Sequence, residues 1–332
     1  MGVCHPNGPN RPNKSDERTG TPSLRRGARM LALAGLLVTL AALDEPAGRT
    51  AYGQEFERDF LSEPAAAGRS SETLLDWAVG PSDWESPAVE HDRMVTDRPH
   101  VSEATSTVGL GRIQLETGYT YFSDREGGTT RTMHSFPEPL LRWGVLAEWF
   151  ELRLGYNYLS EIERPASGGR VSRAGSDDML LAAKVALAKQ RGVLPDLTIF
   201  PQFRLPTGSP GVTANRVLPG VNIAYSWAIT ELIEIECNTV FNMKVDDADH
   251  DYLETLQTLN IEYDLSERWL GFTEFLAFMP ASSLTAVPEY YFHYGIQRFI
   301  TPNLQFDIHS AVGLNRSADN LAFTGVGLSW KY

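Results

Sequence analysis

Apolar and polar residues alternate along the chain from about residue 111 to its end. Within residues 149–159, for example, Leu152 and Leu154 fall on one face, while Glu151 and Arg153 fall on the other. Side chains of a β-strand point alternately to opposite faces, so a period of two predicts strands with one apolar and one polar surface.

Twelve strands are predicted on this basis. They cover residues 111–122, 135–145, 149–159, 177–189, 195–206, 216–228, 231–243, 253–265, 268–279, 288–300, 304–314 and 320–332. The gaps between them are alternately long and short, at 12, 3, 17, 5, 9, 2, 9, 2, 8, 3 and 5 residues. Outer-membrane barrels combine long outer loops with tight periplasmic turns. A soluble β-sandwich also has alternating strands, but it has no reason to sort its connections by length. We therefore predict an all-β, antiparallel up-and-down transmembrane barrel.

Two strands fit this pattern less well. Pro201 interrupts the strand at 195–206, and a closed barrel has no free edge where a missing N–H donor is harmless, so we predict a bulge there. Residues 270–278 are apolar on both faces apart from Glu274, which leaves the orientation of that strand open.

Aromatic residues gather at both ends of the predicted strands, where amphipathic rings would lie at the depth of the lipid headgroups. The periplasmic rim contains Trp143, Trp227, Tyr263, Trp269 and Trp330, and the outer rim contains Tyr119, Tyr121, Tyr156, Tyr158 and Tyr290. The last strand ends on alternate apolar residues and a terminal aromatic, Tyr332. This ending resembles the signal by which the barrel-assembly machinery recognises its substrates, although a soluble core strand could look similar. The expected partners are thus outer-membrane lipid and that machinery.

The N-terminal part of the chain predicts export. Residues 30–43 are mostly apolar and follow Arg25, Arg26 and Arg29. They are too few for a spanning helix, which needs about 20 residues, but are typical of a secretory signal. We predict a signal peptide over 1–53 and localisation in the cell outer membrane. Residues 54–107 lack alternation and are predicted to be either a periplasmic linker or a plug inside the barrel, which would occupy 108–332.

The inward face of the predicted barrel carries many ionisable residues. They are Arg112, Glu116, Arg142, Glu151, Arg153, Asp178, Lys184, Arg204, Glu234, Glu236, Glu254, Glu262, Asp307, His309 and Lys331. Ionisable groups inside a membrane protein either line a water-filled path or pair with one another. Both interpretations stay open: a narrow pathway for a small solute, or a salt-bridged lumen that only supports the wall.

Composition excludes several other classes of function. The net charge of −13 and the absence of a Lys/Arg block argue against nucleic acid as a partner. Cys4 precedes the predicted cleavage site, so Cys237 alone remains and neither a disulfide nor a cysteine-based zinc site is expected. The acidic stretch 246–251 could attract a divalent cation, but Tyr252 stands where a Ca²⁺ loop starting at Asp247 requires glycine. We interpret this stretch as a solvated loop, and we predict no metal site and no cofactor.

A catalytic alternative is a lipid hydrolase with a Ser/His pair on the outer wall of the barrel. His309 and Ser310 are adjacent, and neighbouring residues of a strand point to opposite faces, so these two cannot act together. His134 or His293 could approach a serine of another strand, but no spacing selects one. We therefore predict that the protein is not an enzyme.

Several short motifs resemble a known family. The run Thr96-Asp97-Arg98-Pro99, the stretch 108–119 and the later motifs at 140–144, 151–153, 205–208 and 301–303 are similar to the outer-membrane transporters grouped as the MetA-pathway phenol-degradation family. The resemblance covers roughly residues 95–332. It implies a barrel that takes up small, hydrophobic or aromatic compounds, and it implies no catalysis of phenol breakdown.

Overall fold

The computed structural model describes residues 73–75, 93–126, 128–315, 317–318 and 322–332. The predicted signal peptide and most of residues 54–92 therefore lie outside the described residues. In the part of the chain that is described, no helix has the length and hydrophobicity needed to cross a bilayer.

The described chain forms one antiparallel sheet of fifteen strands, which closes because the first strand pairs with the last. The strands are β1 (Ile113–Glu126), β2 (Thr129–Ser135), β3 (Leu140–Gly144), β4 (Phe150–Gly155), β5 (Tyr158–Arg164), β6 (Val171–Ser176), β7 (Met179–Ala188), β8 (Asp196–Leu205), β9 (Leu218–Thr230), β10 (Ile233–Val245), β11 (Asp251–Ser266), β12 (Trp269–Ala281), β13 (Glu289–Thr301), β14 (Leu304–Gly313) and β15 (Ala322–Lys331). The pairs β2/β3, β4/β5 and β6/β7 are each one wall strand with a short break, so the wall has twelve strands. The predicted up-and-down barrel is confirmed.

The predicted extent of the first two outer loops is wrong. Residues that were assigned to gaps at 123–134 and 160–176 mostly belong to β1, β2, β5 and β6, which extend as paired hairpins. These extensions carry polar side chains on both faces, and Arg131 forms ion pairs with Glu161 at 2.9 Å and Glu163 at 3.7 Å. A strand segment that extends beyond the lipid-facing belt needs no apolar face, so it lacks the alternation that identifies the other strands.

The two irregular strands are resolved in different ways. The bulge predicted at Pro201 is wrong, because β8 keeps the same register with β7 on both sides of it, with no β7 partner opposite the proline. The missing donor therefore falls in a local gap of the β7–β8 ladder. In β12, Glu274 and its even-numbered neighbours face the lumen, whereas Phe275 is 51% exposed on the outer surface.

The outer surface of the wall is an apolar belt bordered by aromatic residues. Leu154, Leu181 and Phe306 are exposed on it, as are Trp143 and Trp330 at the end where the chain termini of the barrel meet. Tyr156 and Tyr290 are exposed towards the opposite end. Exposed large apolar side chains in a continuous band indicate a lipid-facing surface, since water-soluble barrels bury such residues.

The inner surface has two layers. Towards the outer end it carries a cluster of buried apolar residues that includes Val240, Leu256, Phe278, Tyr291 and Phe323. Towards the periplasmic end it is ionic and polar. The wall therefore encloses a packed interior and not a uniform aqueous pore.

Residues 93–110 enter this interior from the periplasmic end and return to it before β1 begins. Met94 donates its backbone N–H to the carbonyl of Pro302 in a periplasmic turn. Val101 packs in the apolar cluster near the middle of the barrel. The backbone N–H of Val108 then reaches Glu151 of β4, and Gly111 pairs with Gly144 of β3. We call residues 93–110 the inserted segment.

Candidate functional site in the filled lumen

The inserted segment is held by a buried ionic network centred on Asp97. One carboxylate oxygen of Asp97 lies 3.1 Å from Arg142 and 2.8 Å from Arg153, and the other lies 3.4 Å from Lys184. Asp97, Arg142 and Lys184 are fully buried, and Arg153 nearly so. Glu151 is also buried and pairs with Arg142 at 2.8 Å. Buried charges are stable only when they are paired and hydrogen-bonded, as these are.

Strand register brings these charges together. Arg142 of β3 lies directly opposite Arg153 of β4, and Glu151 lies directly opposite Lys184 of β7. Two like charges in a cross-strand pair repel each other. The Asp97 carboxylate contacts both guanidinium groups, so the inserted segment supplies the charge that this part of the wall lacks.

Arg98 occupies a second anchor on the neighbouring part of the wall, formed by β14, β15, β1 and the break after β2. Its guanidinium pairs with Asp307 at 3.2 Å and with Glu138 at 3.1 Å, and it donates to the carbonyl of Val326. It lies over Gly118 of β1 and Gly327 of β15, which are directly paired. A Cβ atom on either glycine would overlap the guanidinium. The two glycines thus leave a notch in the wall, which any larger residue would fill.

The break between β2 and β3 completes the Arg98 anchor. The sequence Phe136-Pro137-Glu138-Pro139 cannot continue a strand, because proline lacks the N–H donor. Glu138 therefore leaves the ladder, and its carboxylate accepts hydrogen bonds from Ser135 and Thr120 as well as from Arg98. Although Glu138 fell within a predicted strand, the prediction did not identify it as an anchor.

Glu274 fixes the tip of the inserted segment. Its carboxylate accepts hydrogen bonds from the backbone N–H groups of Val101 at 2.9 Å and Ser102 at 2.6 Å. It also contacts His293 at 2.8 Å, and His293 contacts His309 at 2.9 Å. Glu103 extends the segment's contacts to Arg153 at 2.8 Å.

Most of the predicted lumen residues face inward, and seven are in ionic or histidine contacts with the segment or with each other. These seven are Glu116, Arg142, Glu151, Arg153, Lys184, Asp307 and His309. Glu234, Glu236 and Glu262 lie together near His100. Asp178 and Arg204 lie at the outer cavities, as does Glu254, which pairs with Lys244.

Two predicted lumen residues lie at the periplasmic end of the wall. Arg112 is exposed and precedes β1, so it is not part of this interior. Lys331 lies at the periplasmic end of β15, where its backbone N–H donates to Asn303.

Sequence reasoning missed the residues that the inserted segment itself contributes. The run Thr96-Asp97-Arg98-Pro99 was recognisable as a motif, but nothing local in it indicates that its charges are buried. Glu138, Glu274 and His293 were also left out. The signal for Glu138 was the Pro-Glu-Pro interruption of an otherwise regular strand.

Cavities lie on both sides of the inserted segment. On the outer side, a cavity of about 270 Å³ is lined by apolar residues such as Leu218, Leu256 and Phe278 and by charged residues such as Arg204 and Glu254. A second outer cavity, of about 110 Å³, reaches His100 and Val101 of the segment. On the periplasmic side, a cavity of about 340 Å³ is lined by Met94, Glu236 and Glu262 among others. The segment separates the two compartments.

The acidic stretch 246–251 forms an ordered outer turn. Asp246 is buried and accepts hydrogen bonds from the backbone N–H groups of Ala248, His250 and Leu284 and from the Ser283 hydroxyl. Asp249 and Asp251 pair with Arg216. In the predicted solvated loop, Asp249 and Asp251 are exposed, and the carboxylates of this stretch also join three outer loops.

Asp246→Ala is expected to loosen the two outer loops that Asp246 joins, at a cost of about 1–3 kcal/mol for the unpaired backbone donors. Burial alone would raise the pKa of Asp246, but hydrogen bonds from Leu284 and His250 outweigh it and hold that pKa below its usual range. A lowered pKa means that the anchor is complete at neutral pH and is lost as the pH falls through the folded-state value. Hydrogen exchange of amides 247–250 and 283–286 measures the effect. Asp249→Asn, which removes an exposed charge of the same loop but keeps a residue suited to the left-handed backbone at that position, is the control, and equal exchange of amides 283–286 in both variants would contradict this role.

In the part of the chain that the structure describes, the serine and histidine side chains considered for a hydrolase do not form a pair. His309 faces the lumen, whereas the Ser310 hydroxyl is on the outer face and donates to Thr324. His134 contacts Tyr119, and His293 contacts Glu274. Within the described ranges, no histidine ring is hydrogen-bonded to a serine hydroxyl.

Comparison with known proteins agrees with the barrel architecture. The family model described as "Putative MetA-pathway of phenol degradation" matches residues 96–332. The match therefore begins at the inserted segment and extends to the C-terminal strand. No curated protein matches the chain.

Three solved structures of similar fold illustrate the comparison, and each is distant in sequence. The COG4313 outer membrane channel from Pseudomonas putida F1 is 12% identical, with a TM-score of 0.53, and the alignment covers 69% of this chain and 98% of that one. The transport unit of the autotransporter AIDA-I from Escherichia coli is 9% identical, with a TM-score of 0.46 and coverage of 71% and 92%. The NanC porin is 12% identical, with a TM-score of 0.39 and coverage of 66% and 98%. The first of these similarities supports the outer-membrane barrel fold.

Proposed function

We propose, from the premise that this chain belongs to the MetA-pathway of phenol degradation family, that it is an outer-membrane channel for small apolar or aromatic solutes, closed at rest by the inserted segment. The observation that carries the proposal is the pair of cavities on opposite sides of that segment. A barrel that only supported the membrane would have no reason to keep a charged, separately anchored segment between two compartments.

The outer cavities favour solutes with an apolar body and a polar end. Apolar side chains such as Phe122, Met133 and Phe323 line the smaller cavity together with a few charged groups such as Arg204. Apolar surfaces with a few polar groups are the usual composition of small-molecule sites. An aromatic ring with a hydroxyl or carboxyl group matches this lining better than a sugar does, because a sugar would leave its hydroxyl groups unpaired against apolar walls.

Passage requires the inserted segment to move. The segment crosses the lumen between the cavities and is held at Asp97, Arg98 and Glu103 through charged contacts. Because charged contacts can be exchanged for water, withdrawal of the segment towards the periplasm costs less than withdrawal of an equally buried apolar plug would. The withdrawn state would leave a lumen that is charged at the periplasmic end and lined by both apolar and charged residues at the outer end.

Uptake by proteoliposomes tests this proposal. Vesicles that contain the folded full chain are expected to take up radiolabelled benzoate faster than a sugar of similar size. Leu256→Asn, on the inner face of β11, should reduce that preference severalfold, whereas Leu259→Asn, on the outer face of the same strand, should not. If the folded protein passes neither solute under any condition, including after the inserted segment is destabilised, the barrel has only a structural role.

The C-terminal strand is proposed to engage the barrel-assembly machinery. Trp330 and Tyr332 are exposed and contact each other, with ring centroids 5.9 Å apart. Deletion of Tyr332 is expected to lower the amount of folded barrel in cells while the purified chain still folds in detergent. Equal cellular amounts would contradict the proposal.

A further inference from the structure

Among the described residues, no basic side chain of the wall neutralises a second cluster of titratable residues in the lumen. His100 of the inserted segment faces Glu236 of β10 and Glu262 of β11. Its Nε2 atom lies 2.8 Å from Oε1 of Glu262 and 3.8 Å from Oε2 of Glu236. The ligand atoms of all three residues lie within 4.8 Å of one another. Histidine and glutamate in this arrangement are common metal ligands.

The charges of this cluster are unbalanced. Glu234 and Glu262 are directly opposite each other across β10 and β11, which is a repulsive pairing. Glu236 lies one inward position further along β10. In the described part of the chain, no arginine or lysine forms an ion pair with any of the three. The carboxylates around Asp97, by contrast, face three basic side chains.

The imidazole is also oriented as a metal ligand would be. Its Nδ1 atom contacts the backbone carbonyl of Ser102, which leaves Nε2 directed at the carboxylates. Metal-bound histidines usually make such a contact with their second ring nitrogen. The ring also packs edge-on against Phe272, with centroids 5.5 Å apart.

A buried polar atom next to the cluster is unpaired. Asn260 donates through Nδ2 to Oε2 of Glu236 at 3.0 Å, but its Oδ1 atom, which is fully buried, has no hydrogen-bond partner. Buried polar atoms without partners are rare in folded proteins and call for an explanation such as a bound ion or water.

We propose that His100, Glu236 and Glu262 bind a divalent transition-metal ion, specifically Zn²⁺, that fastens the inserted segment to strands β10 and β11. Zinc binds histidine nitrogen and carboxylate oxygen at about 2.0–2.2 Å, so its tetrahedral ligands lie about 3.4 Å apart. The two measured separations, 2.8 and 3.8 Å, lie on either side of that value, and side-chain rotation alone can adjust them. A water molecule or Glu234 would supply the fourth ligand.

The ion has a route to the site. The periplasmic cavity of about 340 Å³ is lined by Glu234, Glu236 and Glu262, so a cation can enter from the periplasmic end without displacement of the segment. Because His100 lies on the segment and both glutamates lie on the wall, bound zinc would oppose withdrawal. This effect on gating rests on the proposed function, whereas the binding itself does not.

Zinc titration of the folded full chain in detergent, after removal of metal by a chelator, tests the binding. Isothermal titration calorimetry is expected to show that one equivalent of Zn²⁺ binds. X-ray absorption spectroscopy of the zinc-bound protein is expected to show both nitrogen and oxygen ligands. Glu262→Gln and His100→Gln should each weaken binding at least tenfold. His134→Ala, on the outer face, should leave it unchanged and serves as the control. No stoichiometric binding, or binding unaffected by Glu262→Gln, would mean that the cluster is only a charged hydrogen-bond pair.

Conductance separates this inference from the proposed function. If zinc binds and lowers the open fraction in planar bilayers, the metal site acts as a latch on the segment. If zinc binds and the open fraction does not change, the latch is overturned but the site stands. If zinc does not bind but replacement of Asp97 still opens the channel, the result contradicts the metal site and supports the proposed channel.

Discussion

Replacing Asp97 with alanine is expected to shift the barrel from a closed to a largely open state in planar bilayers. The substitution leaves Arg142, Arg153 and Lys184 without the carboxylate that they share when the segment is inserted. Removal of one partner from a buried ion pair costs about 3–5 kcal/mol. In the withdrawn state those basic groups are solvated, so the cost falls on the inserted state alone. Since every 1.4 kcal/mol is a factor of ten, the equilibrium should move by about a hundredfold or more.

Single-channel recording of the open fraction measures the effect, and protease sensitivity of residues 93–110 gives a second readout. Asp249→Ala removes a carboxylate that is paired with Arg216 on the outer surface, so it should leave both readouts unchanged. A folded Asp97→Ala barrel that stays as closed and as protected as the wild type would show that the ionic network does not hold the segment.

Gly327→Leu is expected to open the barrel without any change in charge. The new side chain would occupy the notch that receives the Arg98 guanidinium, and the contacts of Arg98 with Asp307 and Val326 would be lost. Overpacking costs about 1–3 kcal/mol and the broken buried pair about 3–5 kcal/mol, although the segment can relieve both by withdrawal. The open fraction in bilayers should therefore rise about as much as in Asp97→Ala.

A double-mutant cycle distinguishes the notch from general damage to the wall. Arg98→Ala should open the barrel by itself, and the addition of Gly327→Leu should then have little further effect, because no guanidinium remains to collide with the leucine. Ser329→Ala, on the same inner face of β15, is the control for a change near the notch. Additive effects of Arg98→Ala and Gly327→Leu would contradict the notch.

Both experiments depend on features that share one physical logic. Two features of the wall retain the inserted segment. Arg142 and Arg153 bind the carboxylate of Asp97, and the absence of side chains at Gly118 and Gly327 leaves room for the guanidinium of Arg98. A barrel of twelve strands is too wide for its own side chains to fill the centre in the way that eight strands can, so an additional segment can be accommodated. The segment thus converts a space that would otherwise hold water into a closed but separable interior.

The sequence by itself determined the wall. Alternation at positions such as Leu152, Arg153 and Leu154 depends on the local geometry of a strand, in which successive side chains point to opposite sides, so it can be recognised without any knowledge of the partners. The number of strands, the direction of most inward side chains and the aromatic rims followed from that pattern. The pattern did not identify the hairpin extensions, because neither face of those strands has to be apolar. It also led to a wrong prediction of a bulge at Pro201, where the missing N–H donor falls in a gap of the β7–β8 ladder.

Only the tertiary structure decided what fills the lumen. Asp97 is adjacent to Arg98 in the chain, and a local interpretation would pair the two with each other or with water. Their ion-pair partners are 40 to 209 residues away, on two adjoining parts of the wall. Long-range pairing of this kind leaves no periodic trace, because it depends on the closure of the sheet and on the path of a segment that has no repeating pattern. The sequence pattern therefore determines the barrel wall. The position of residues 93–110 inside the barrel depends on contacts that exist only after the barrel has closed.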